Sequence, residues 1–215
     1  MSGDQPFKFG IDERGDFRKE RLQIIHSLPI IFYTKSFINF ACVLNWREWC
    51  DRFSNKLMPV SSVDFRAALS RFASGVSVVT TKDASGKLFG ITVSAFCSVS
   101  LEPPLVLICI EKTTGSHHAF TESGRFTVNI LTESQANISE HFASLLEDKF
   151  SMTDHAVDEH GIPLLPNSLA TLQCVLFKTL DGGDHSIFLG LVEHVSVRDD
   201  GPLIYFKSTY RNIAD

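Results

Sequence analysis

Hydrophobic and polar residues are arranged differently on the two sides of Met58-Pro59. Before this point, aromatic clusters such as FINFACVLNWREWC at residues 37–50 show no clear period. After it, helical and strand periodicities follow one another almost continuously. We therefore predict an N-terminal extension of uncertain structure at residues 1–60 and one domain at residues 61–215. The extension could be helical, a partly disordered tail, or sequence upstream of the true start, for which Met58 is suitable.

The first element predicted in the domain is a helix within SSVDFRAALSRFASG, residues 61–75. Ser62 or Asp64 can cap its start, and Gly75 can end it. Apolar residues recur at positions i, i+4 and i+7, namely Phe65, Leu69 and Phe72. This spacing predicts that one face of the helix packs against the core.

Apolar runs separated by turn residues predict at least six strands. GVSVVTT and LFGITVSAFCSVS flank KDASGK as a hairpin, and PPLVLICI, RFTVNIL, LATLQCVLFKTL, HSIFLGLVEHVSV and PLIYF follow. TGSHHAFTESG predicts a short helix bounded by Thr114 and Gly124. TESQANISEHFASLLE predicts another, with Thr132 and Gln135 as a capping pair and an apolar stripe of Ile138, Phe142 and Leu145. Closing a sheet removes its exposed edges, so we predict an antiparallel barrel or sandwich, mainly β with flanking helices (α+β).

Composition and charge exclude several classes of protein. The 215 residues carry a formal net charge of −5, which argues against a general nucleic-acid binder. The cysteines form no CxxC pair, which indicates reduced thiols rather than a disulfide framework or a zinc site; they are Cys42, Cys50, Cys97, Cys109 and Cys174. His155 and His160 lie among acidic residues without tight ligand spacing, so we predict no metal site.

The N-terminal residues bear on localisation. The most apolar stretch, LPIIFYTKSFINFACVL at residues 28–44, contains Lys35 and Asn39, which argues against insertion into a membrane. Residues 1–27 carry several acids and lack the apolar run of a signal peptide. We therefore predict a cytoplasmic protein with no membrane partner.

Two segments near strand ends have residues that suit an aromatic nucleotide. In residues 91–100, hydroxyl groups alternate with apolar side chains, which would offer a flat surface and hydrogen-bond partners to an isoalloxazine ring. A polar outer face of a sheet has the same pattern. KTTGS at residues 112–116 opens a helix and could bind a phosphate, although an ordinary N-cap beside a solvated lysine is the commoner use of such a pentapeptide.

GGDHSIFLG at residues 182–190 predicts a hairpin turn followed by a strand. A plain turn needs neither Asp184 nor His185, and the histidine could bind a ligand or simply cap the turn. Residues 148–166 form a long predicted loop, and loops of that length often have a binding role.

Taken in order, FRAALSRFASGVSVVTT, ITVSAFCSVSLEPPLVLICIEKTTGSH, GRFTVNIL and GDHSIFLGLVEHV resemble the flavin reductase-like family. These are FMN-binding split-barrel reductases that supply reduced flavin to two-component monooxygenases. The resemblance runs from about Asp64 to Arg211. It implies an antiparallel Greek-key split β-barrel, a homodimer that completes the flavin site across two subunits, and a partner oxygenase.

The reaction implied is hydride transfer from a reduced nicotinamide to a flavin. Alignment of the two nucleotides performs this step, so no catalytic side chain is required, and His185 would position the donor. FMN is the expected flavin, with FAD as the alternative, and NADH or NADPH is the expected donor. A flavoprotein with tightly bound FMN acting on another substrate, or a non-catalytic flavin-binding protein, are the other functions considered.

The resemblance also implies site residues. Those for flavin are Thr92, Val93, Ser94, Ser98, Val99, Ser100, Cys109, Ile110, Lys112, Thr113, Ser116, His117 and Phe142. Those for the nicotinamide nucleotide are Gly183, Asp184, His185, Tyr210 and Arg211. Glu111 departs from the asparagine or small polar residue that often precedes the lysine in this family, which could alter the flavin that fits.

Overall fold

The computed structural model describes residues 60–213 of the chain. The helices in this range are α1 (Ser62–Leu69), α2 (His117–Ser123) and α3 (Ala136–Ala143), the last preceded by a 3₁₀ turn at Glu133–Gln135. The strands are β1 (Ser74–Gly75), β2 (Ser77–Lys82), β3 (Leu88–Val93), β4 (Phe96–Leu101), β5 (Pro104–Glu111), β6 (Arg125–Ile130), β7 (Ala156–Val157), β8 (Pro163–Leu164), β9 (Ala170–Gly182), β10 (His185–Val197), β11 (Ile204–Phe206) and β12 (Thr209–Arg211).

Seven strands form the main sheet in the order β3-β2-β6-β9-β10-β5-β4, and every neighbouring pair is antiparallel. A three-stranded sheet, β1-β11-β12, and the β7-β8 pair complete the β-structure of residues 60–213. The prediction of a mainly β, antiparallel fold with flanking helices is confirmed.

The two outermost strands of the main sheet are consecutive in the chain. Only Ser94 and Ala95 lie between β3 and β4, and three Cα–Cα steps reach at most about 11 Å. The two ends of the sheet must therefore come close together, which curls the sheet into a barrel. The run LFGITVSAFCSVS, predicted as one strand, is divided here into two strands that belong to opposite ends of the sheet.

Both faces of β2 are buried, because a separate apolar cluster covers each side of it. Val79 packs on the inner face of the curled sheet with Ile108 and Phe126. Val78 packs on the outer face with Leu131 and Phe142. Phe142 belongs to α3, so this helix covers the outside of the sheet next to β2 and β3. This arrangement leaves room for a cavity at the end of α3.

Helix α1 forms within the predicted run, but its ends differ from the prediction. Ser61, rather than Ser62 or Asp64, is the N-cap, its hydroxyl accepting a hydrogen bond from the Asp64 N–H at 3.0 Å, and the helix ends at Leu69, well before Gly75. The prediction that its apolar face packs into the core is wrong. Phe65 and Leu69 are 56% and 57% exposed, and Phe72, beyond the helix end, is 78% exposed. Helical spacing identifies an apolar face, but it does not say what covers that face.

The capping pair predicted before α3 is confirmed. Thr132 and Gln135 form a capping box, in which the Gln135 side chain accepts a hydrogen bond from the Thr132 N–H at 3.1 Å. The helix ends at Ala143, earlier than predicted, and Leu145 lies outside it, fully exposed. Ser144 is in an extended conformation, which ends the helix and begins one wall of the cavity.

In the part of the chain that the structure describes, no helix is long and apolar enough to cross a membrane.

Candidate active site

Lys112 connects the segment predicted to bind phosphate to the β9-β10 hairpin. Its backbone N–H donates to the Asp184 carbonyl at 2.9 Å. Its ammonium group donates to the Gly183 carbonyl at 2.6 Å and forms an ion pair with the Asp181 carboxylate. Lys112 therefore holds the hairpin, and its charge already has a partner.

The β5-β10 register explains why these two segments meet. His185 lies directly opposite Glu111, and the pairing continues to Leu191 opposite Leu105. The end of β5, which leads into residues 112–116, thus lies beside the start of β10, which carries His185. Two motifs separated by about 70 residues in the chain form one continuous surface.

The turn of the hairpin has the conformation that its sequence predicts. Gly183 has a φ of 80°, which favours glycine. The Asp184 carboxylate lies 2.8 Å from Nδ1 of His185, and this hydrogen bond is the main reason why the pKa of Asp184 is below its usual value. His185 is partly exposed, so its ring is held by Asp184 at the edge of the sheet and remains accessible.

A cavity of about 670 Å³ lies beside the start of β3. Its walls come from residues 88–91, residues 113–116 and residues 142–147, together with Asp83, Lys87, Glu111, His118 and Lys149. The volume falls within the range of small-molecule sites, roughly 300–1,000 Å³. Three residues of the predicted flavin set line it, namely Thr113, Ser116 and Phe142.

The cavity combines an apolar wall with a polar wall, as an aromatic nucleotide requires. Leu88, Phe89 and Ile91 supply partly exposed apolar side chains, and Thr113 and Ser116 supply hydroxyl groups. Phe142 is fully buried and supports this wall from behind. Gly90 lies against the ring of Phe142 so closely that a Cβ atom would overlap it. The residues present therefore fit a flavin, and close packing of β3 on α3 shapes the cavity.

The adjacent histidines of α2 face different surroundings. His117 is predicted to bind flavin, but its Nε2 lies 2.9 Å from the hydroxyl of the buried Ser186 and its ring packs near Phe188. His118 packs edge-on against Phe89 and lines the cavity. Within residues 60–213 no three His, Cys, Asp or Glu side chains are grouped so that they could hold a metal ion.

The predicted flavin residues of β3 and β4 are divided between the core and the surface. Val93 is buried in the core cluster, and so is Ile110 of β5, which leaves only their main-chain groups for a ligand. Ser94, Ser98 and Val99 are exposed, and Ser100 is partly exposed. The exposed residues lie at the strand that ends the sheet, as expected for a surface that a ligand or a second subunit covers.

Thr92 and Tyr210 both bond to Ser139 of α3, which is fully buried. The Thr92 hydroxyl donates to the Ser139 carbonyl at 2.6 Å, and the Tyr210 hydroxyl donates to the Ser139 hydroxyl at 2.8 Å. Arg211 is exposed on β12. Among the described residues, no hydrogen bond or ion pair joins Tyr210 or Arg211 to the hairpin, so their place in the nicotinamide set stays a prediction.

The thiols of the described range are unpaired, and two of them are held neutral by burial. Cys97, Cys109 and Cys174 are free, while Cys42 and Cys50 lie outside the described residues. Burial raises the pKa of Cys109, and burial together with Glu193 raises the pKa of Cys174 to about 12. Cys109, a predicted flavin residue, is therefore a neutral side chain that can contribute packing only.

Sequence reasoning missed two residues that line the cavity, Gly90 and Lys149. It also missed the buried Ser139, which bonds to Thr92 and Tyr210. Gly90 and Ser139 act through close packing and buried bonds, which no local pattern reveals. Lys149 lies in the long loop singled out at residues 148–166, but neither charge nor spacing distinguishes it there from the other charged residues.

Comparison with known proteins agrees with this arrangement. The family model described as flavin reductase like domain matches residues 69–214. The chain belongs to the flavin reductase-like family. The prediction from sequence, of a flavin reductase with a split-barrel type of fold, is confirmed by this match and by the relatives described next.

Two curated relatives show how much of the family is shared. The chain is 39% identical over 152 residues to the reductase subunit HsaB of a flavin-dependent monooxygenase from Mycobacterium tuberculosis, a match covering 69% of this chain and 81% of that protein. It is 40% identical over 127 residues to a probable flavin reductase from Rhizobium meliloti, covering 59% of this chain and 41% of that protein. The match thus spans less than half the length of the Rhizobium relative.

A solved structure supports the fold. The NADH:FAD oxidoreductase SgcE6 of Streptomyces globisporus, in complex with NAD and FAD fragments, superposes with a TM-score of 0.69 at 34% identity. The match covers 74% of this chain and 96% of that protein.

Proposed function

We propose that this chain is an NAD(P)H-dependent flavin oxidoreductase that supplies reduced flavin to a partner monooxygenase. The flavin, when bound, accepts at N5 the hydride that leaves C4 of the reduced nicotinamide. The chain supplies orientation, because neither atom needs a protein nucleophile or a protein base.

One observation carries the proposal. The register of β5 on β10, with Lys112 bonded to the turn, joins the cavity loop at residues 113–116 to the Asp184-His185 pair. A flavin in the cavity and a donor nucleotide on the hairpin would therefore be held by one continuous piece of structure. Hydride transfer requires this proximity of two nucleotide sites.

The residues of each site have distinct roles under this proposal. Leu88, Phe89 and Ile91 would pack against the flavin. The Ser116 hydroxyl would bond to its polar part, and the Thr113 hydroxyl, which donates to Glu111, could accept a bond there. His185, oriented by Asp184, would position the nicotinamide nucleotide. Tyr210 and Arg211 are proposed as further nicotinamide contacts on the family resemblance, and Tyr210 is anchored to α3 through Ser139.

The choice of nucleotides is a finer proposal. We propose FMN as the flavin, with FAD as the second candidate because the Streptomyces relative is an NADH:FAD oxidoreductase. NADH and NADPH are both candidate donors. The mycobacterial relative is a reductase subunit of a flavin-dependent monooxygenase, which supports an oxygenase as the partner.

A homodimer is part of the proposal. Val63, Phe65, Leu69 and Phe72 expose apolar side chains on and just beyond α1, and Val99 and Leu101 do so on the edge strand β4. Clusters of exposed apolar residues mark association surfaces, which supports pairing of two chains. The division into an extension at residues 1–60 and a domain at residues 61–215 also stays a prediction, because the extension lies outside the described residues.

The test is an anaerobic titration of the purified protein with FMN, FAD and riboflavin in the presence of NADH or NADPH. Catalytic loss of the flavin and nicotinamide absorbance bands is expected, and the rates rank the substrates. A flavin that binds but is reduced by neither nucleotide would contradict the reductase proposal and favour a binding role.

His185→Ala tests the hairpin in the same assay. We expect the KM for the nicotinamide donor to rise about three- to tenfold, the value of one hydrogen bond, while the KM for flavin stays within about twofold. His194→Ala is the matched control, since His194 is an exposed histidine further along β10. Unchanged kinetics in His185→Ala would remove this residue from the donor site.

A further inference from the structure

Lys149 places a half-buried ammonium group in the cavity wall. Its Nζ donates to the Phe142 carbonyl, at the end of α3, at 2.7 Å and lies 3.4 Å from the Gly90 carbonyl of β3. No carboxylate among residues 60–213 lies within ion-pair distance of it. Partial burial lowers the pKa of Lys149, as expected for a cation whose lost hydration is not replaced by an acidic partner.

The position of Lys149 is fixed by its neighbours. Its carbonyl accepts hydrogen bonds from Nε2 of His141 and from the Thr153 hydroxyl, both at 2.7 Å. The next residue, Phe150, is 7% exposed and packs against Phe142 with ring centroids 5.2 Å apart. The amine is therefore held at the cavity before any ligand binds.

Lys112, the lysine predicted to bind phosphate, is in the opposite situation. Its ammonium group is bonded to Asp181 and Gly183 of the hairpin, and the residue does not line the cavity. A phosphate in the cavity could bind Lys112 only by displacing these bonds. Among the described residues Lys149 forms no ion pair with a carboxylate, so a phosphate would displace none there.

The cavity offers a further group to an anion beside Lys149. Ser116 brings a hydroxyl group to the cavity lining, whereas the hydroxyls of Thr113 and Thr114 donate to the Glu111 carboxylate and carbonyl. Three carboxylates also line the cavity, but those of Asp83 and Glu111 accept hydrogen bonds from their own loops, through Ser85 and Thr113 respectively. The third, Glu147, is exposed.

We propose that Lys149 binds the phosphate of a nucleotide in this cavity, and that Lys112 instead positions the β9-β10 hairpin. The phosphate is assigned to the flavin, because no residue of the hairpin at residues 181–185 lines the cavity. This inference rests on the proposed function. It assigns the phosphate contact, which the sequence analysis gave to Lys112, to Lys149.

The test compares FMN with riboflavin, which lacks the phosphate, by titrating flavin fluorescence without any nicotinamide nucleotide. In Lys149→Met we expect FMN to bind about ten- to a hundredfold more weakly, as for loss of a hydrogen bond to a charged group, while riboflavin binding changes less than about threefold. Lys149→Arg should restore most of the preference for FMN. Circular dichroism of each variant checks that it is folded.

Two further variants make the comparison specific. Lys82→Met is the matched control, because the Lys82 amine also donates to a backbone carbonyl, that of His160 at 2.5 Å, but lies outside the cavity lining. Lys82→Met and Lys112→Met should both keep the wild-type preference for FMN over riboflavin. A donor titration of Lys149→Met, followed by NADH fluorescence, should show unchanged binding.

Each other outcome overturns the inference in a different way. If Lys112→Met lost the preference for FMN over riboflavin and Lys149→Met kept it, Lys112 rather than Lys149 would be the residue that binds the phosphate. Equal weakening of FMN and riboflavin in Lys149→Met and in Lys149→Arg would assign a purely structural role to Lys149. Weakened NADH binding alone would assign the phosphate to the donor, whereas a wild-type protein that binds no flavin would overturn the proposed function as well.

Discussion

The cavity beside β3 and the β9-β10 hairpin are neighbouring elements of one site, but they are held by different contacts. The cavity is shaped by buried packing, with Gly90 against Phe142 and Phe142 against Phe150. The hairpin is exposed and is held by polar contacts from Lys112 and within the Asp184-His185 pair. Buried packing resists change more strongly than exposed polar contacts do, because solvent competes with the latter.

This difference indicates different roles for the two regions, a preformed cavity and an adjustable hairpin. A cavity formed by packed rings exists before any ligand binds, so under the proposed function it would select a flavin by shape. A hairpin held by an exposed ion pair can adjust when the second nucleotide arrives. Substitutions in the cavity should therefore affect folding and flavin together, and substitutions in the hairpin should affect the donor with little effect on folding.

The largest effect is expected at Gly90. In Gly90→Ala the added Cβ overlaps the Phe142 ring, and such overpacking costs about 1–3 kcal/mol of unfolding free energy. Flavin affinity should fall as well, because Phe142 lines the cavity. Urea unfolding followed by circular dichroism measures the change in stability.

Gly115→Ala is the control for this comparison. Gly115 also lines the cavity, but a Cβ there meets no atom within 4 Å, so its stability should stay within about 0.5 kcal/mol of the wild type. Equal stability of the two variants would show that packing of β3 on α3 does not shape the cavity.

A smaller effect is expected at Asp181. Asp181→Asn removes the ion pair with Lys112 but keeps the Gly183 bond, so we expect the donor KM to rise only about two- to threefold. The unfolding free energy should change by less than about 1 kcal/mol, because both side chains are substantially exposed. Steady-state kinetics with the donor varied gives the first quantity.

Glu193→Gln provides the matching control. It breaks a second exposed ion pair within residues 60–213, Arg125 to Glu193 at 2.8 Å, which joins β6 to β10 away from the hairpin turn. The same rise of donor KM in both variants would mean that Lys112 does not position the hairpin.

The smallest effect concerns pH. The pKa of Asp184 is lowered mainly by its hydrogen bond with His185, so the folded state favours the ionised carboxylate. The resulting stabilisation is present above the unfolded pKa, near 3.8, and is lost as the pH falls through the lower folded value. The effect is small because the carboxylate is fully exposed.

Asp184→Asn should remove this acid-side loss. Thermal unfolding midpoints measured between about pH 2 and pH 6 should fall slightly less steeply for the variant than for the wild type. A steeper fall in the variant would contradict the direction of the pKa shift.

The sequence predicted the local elements well, since their signals are local. The capping pair Thr132-Gln135, the left-handed Gly124 after α2 and the turn at Gly183 appear as expected. The errors of the sequence analysis concern contacts between residues that are distant in the chain. The face of α1 with Phe65 and Leu69 has the spacing of a core helix but is exposed.

The candidate site shows the same limit. Lys112, Asp184 and His185 could be singled out because family motifs and turn chemistry mark them, whereas Lys149 has no mark in the sequence. Its position depends on a loop that returns to the end of α3 and on Phe150 packing against Phe142. Such long-range contacts have no period and no fixed spacing.

The sequence by itself thus determined the family and the antiparallel β architecture, and it marked the two motifs proposed to bind the nucleotides, because residue order and local periodicity encode them. The tertiary structure alone decided how these parts act together. It tied Lys112 to the hairpin through the β5-β10 register and placed the Lys149 amine in the cavity. The charge that is available to a ligand depends on which partners the fold brings near each lysine, and only the folded chain determines those partners.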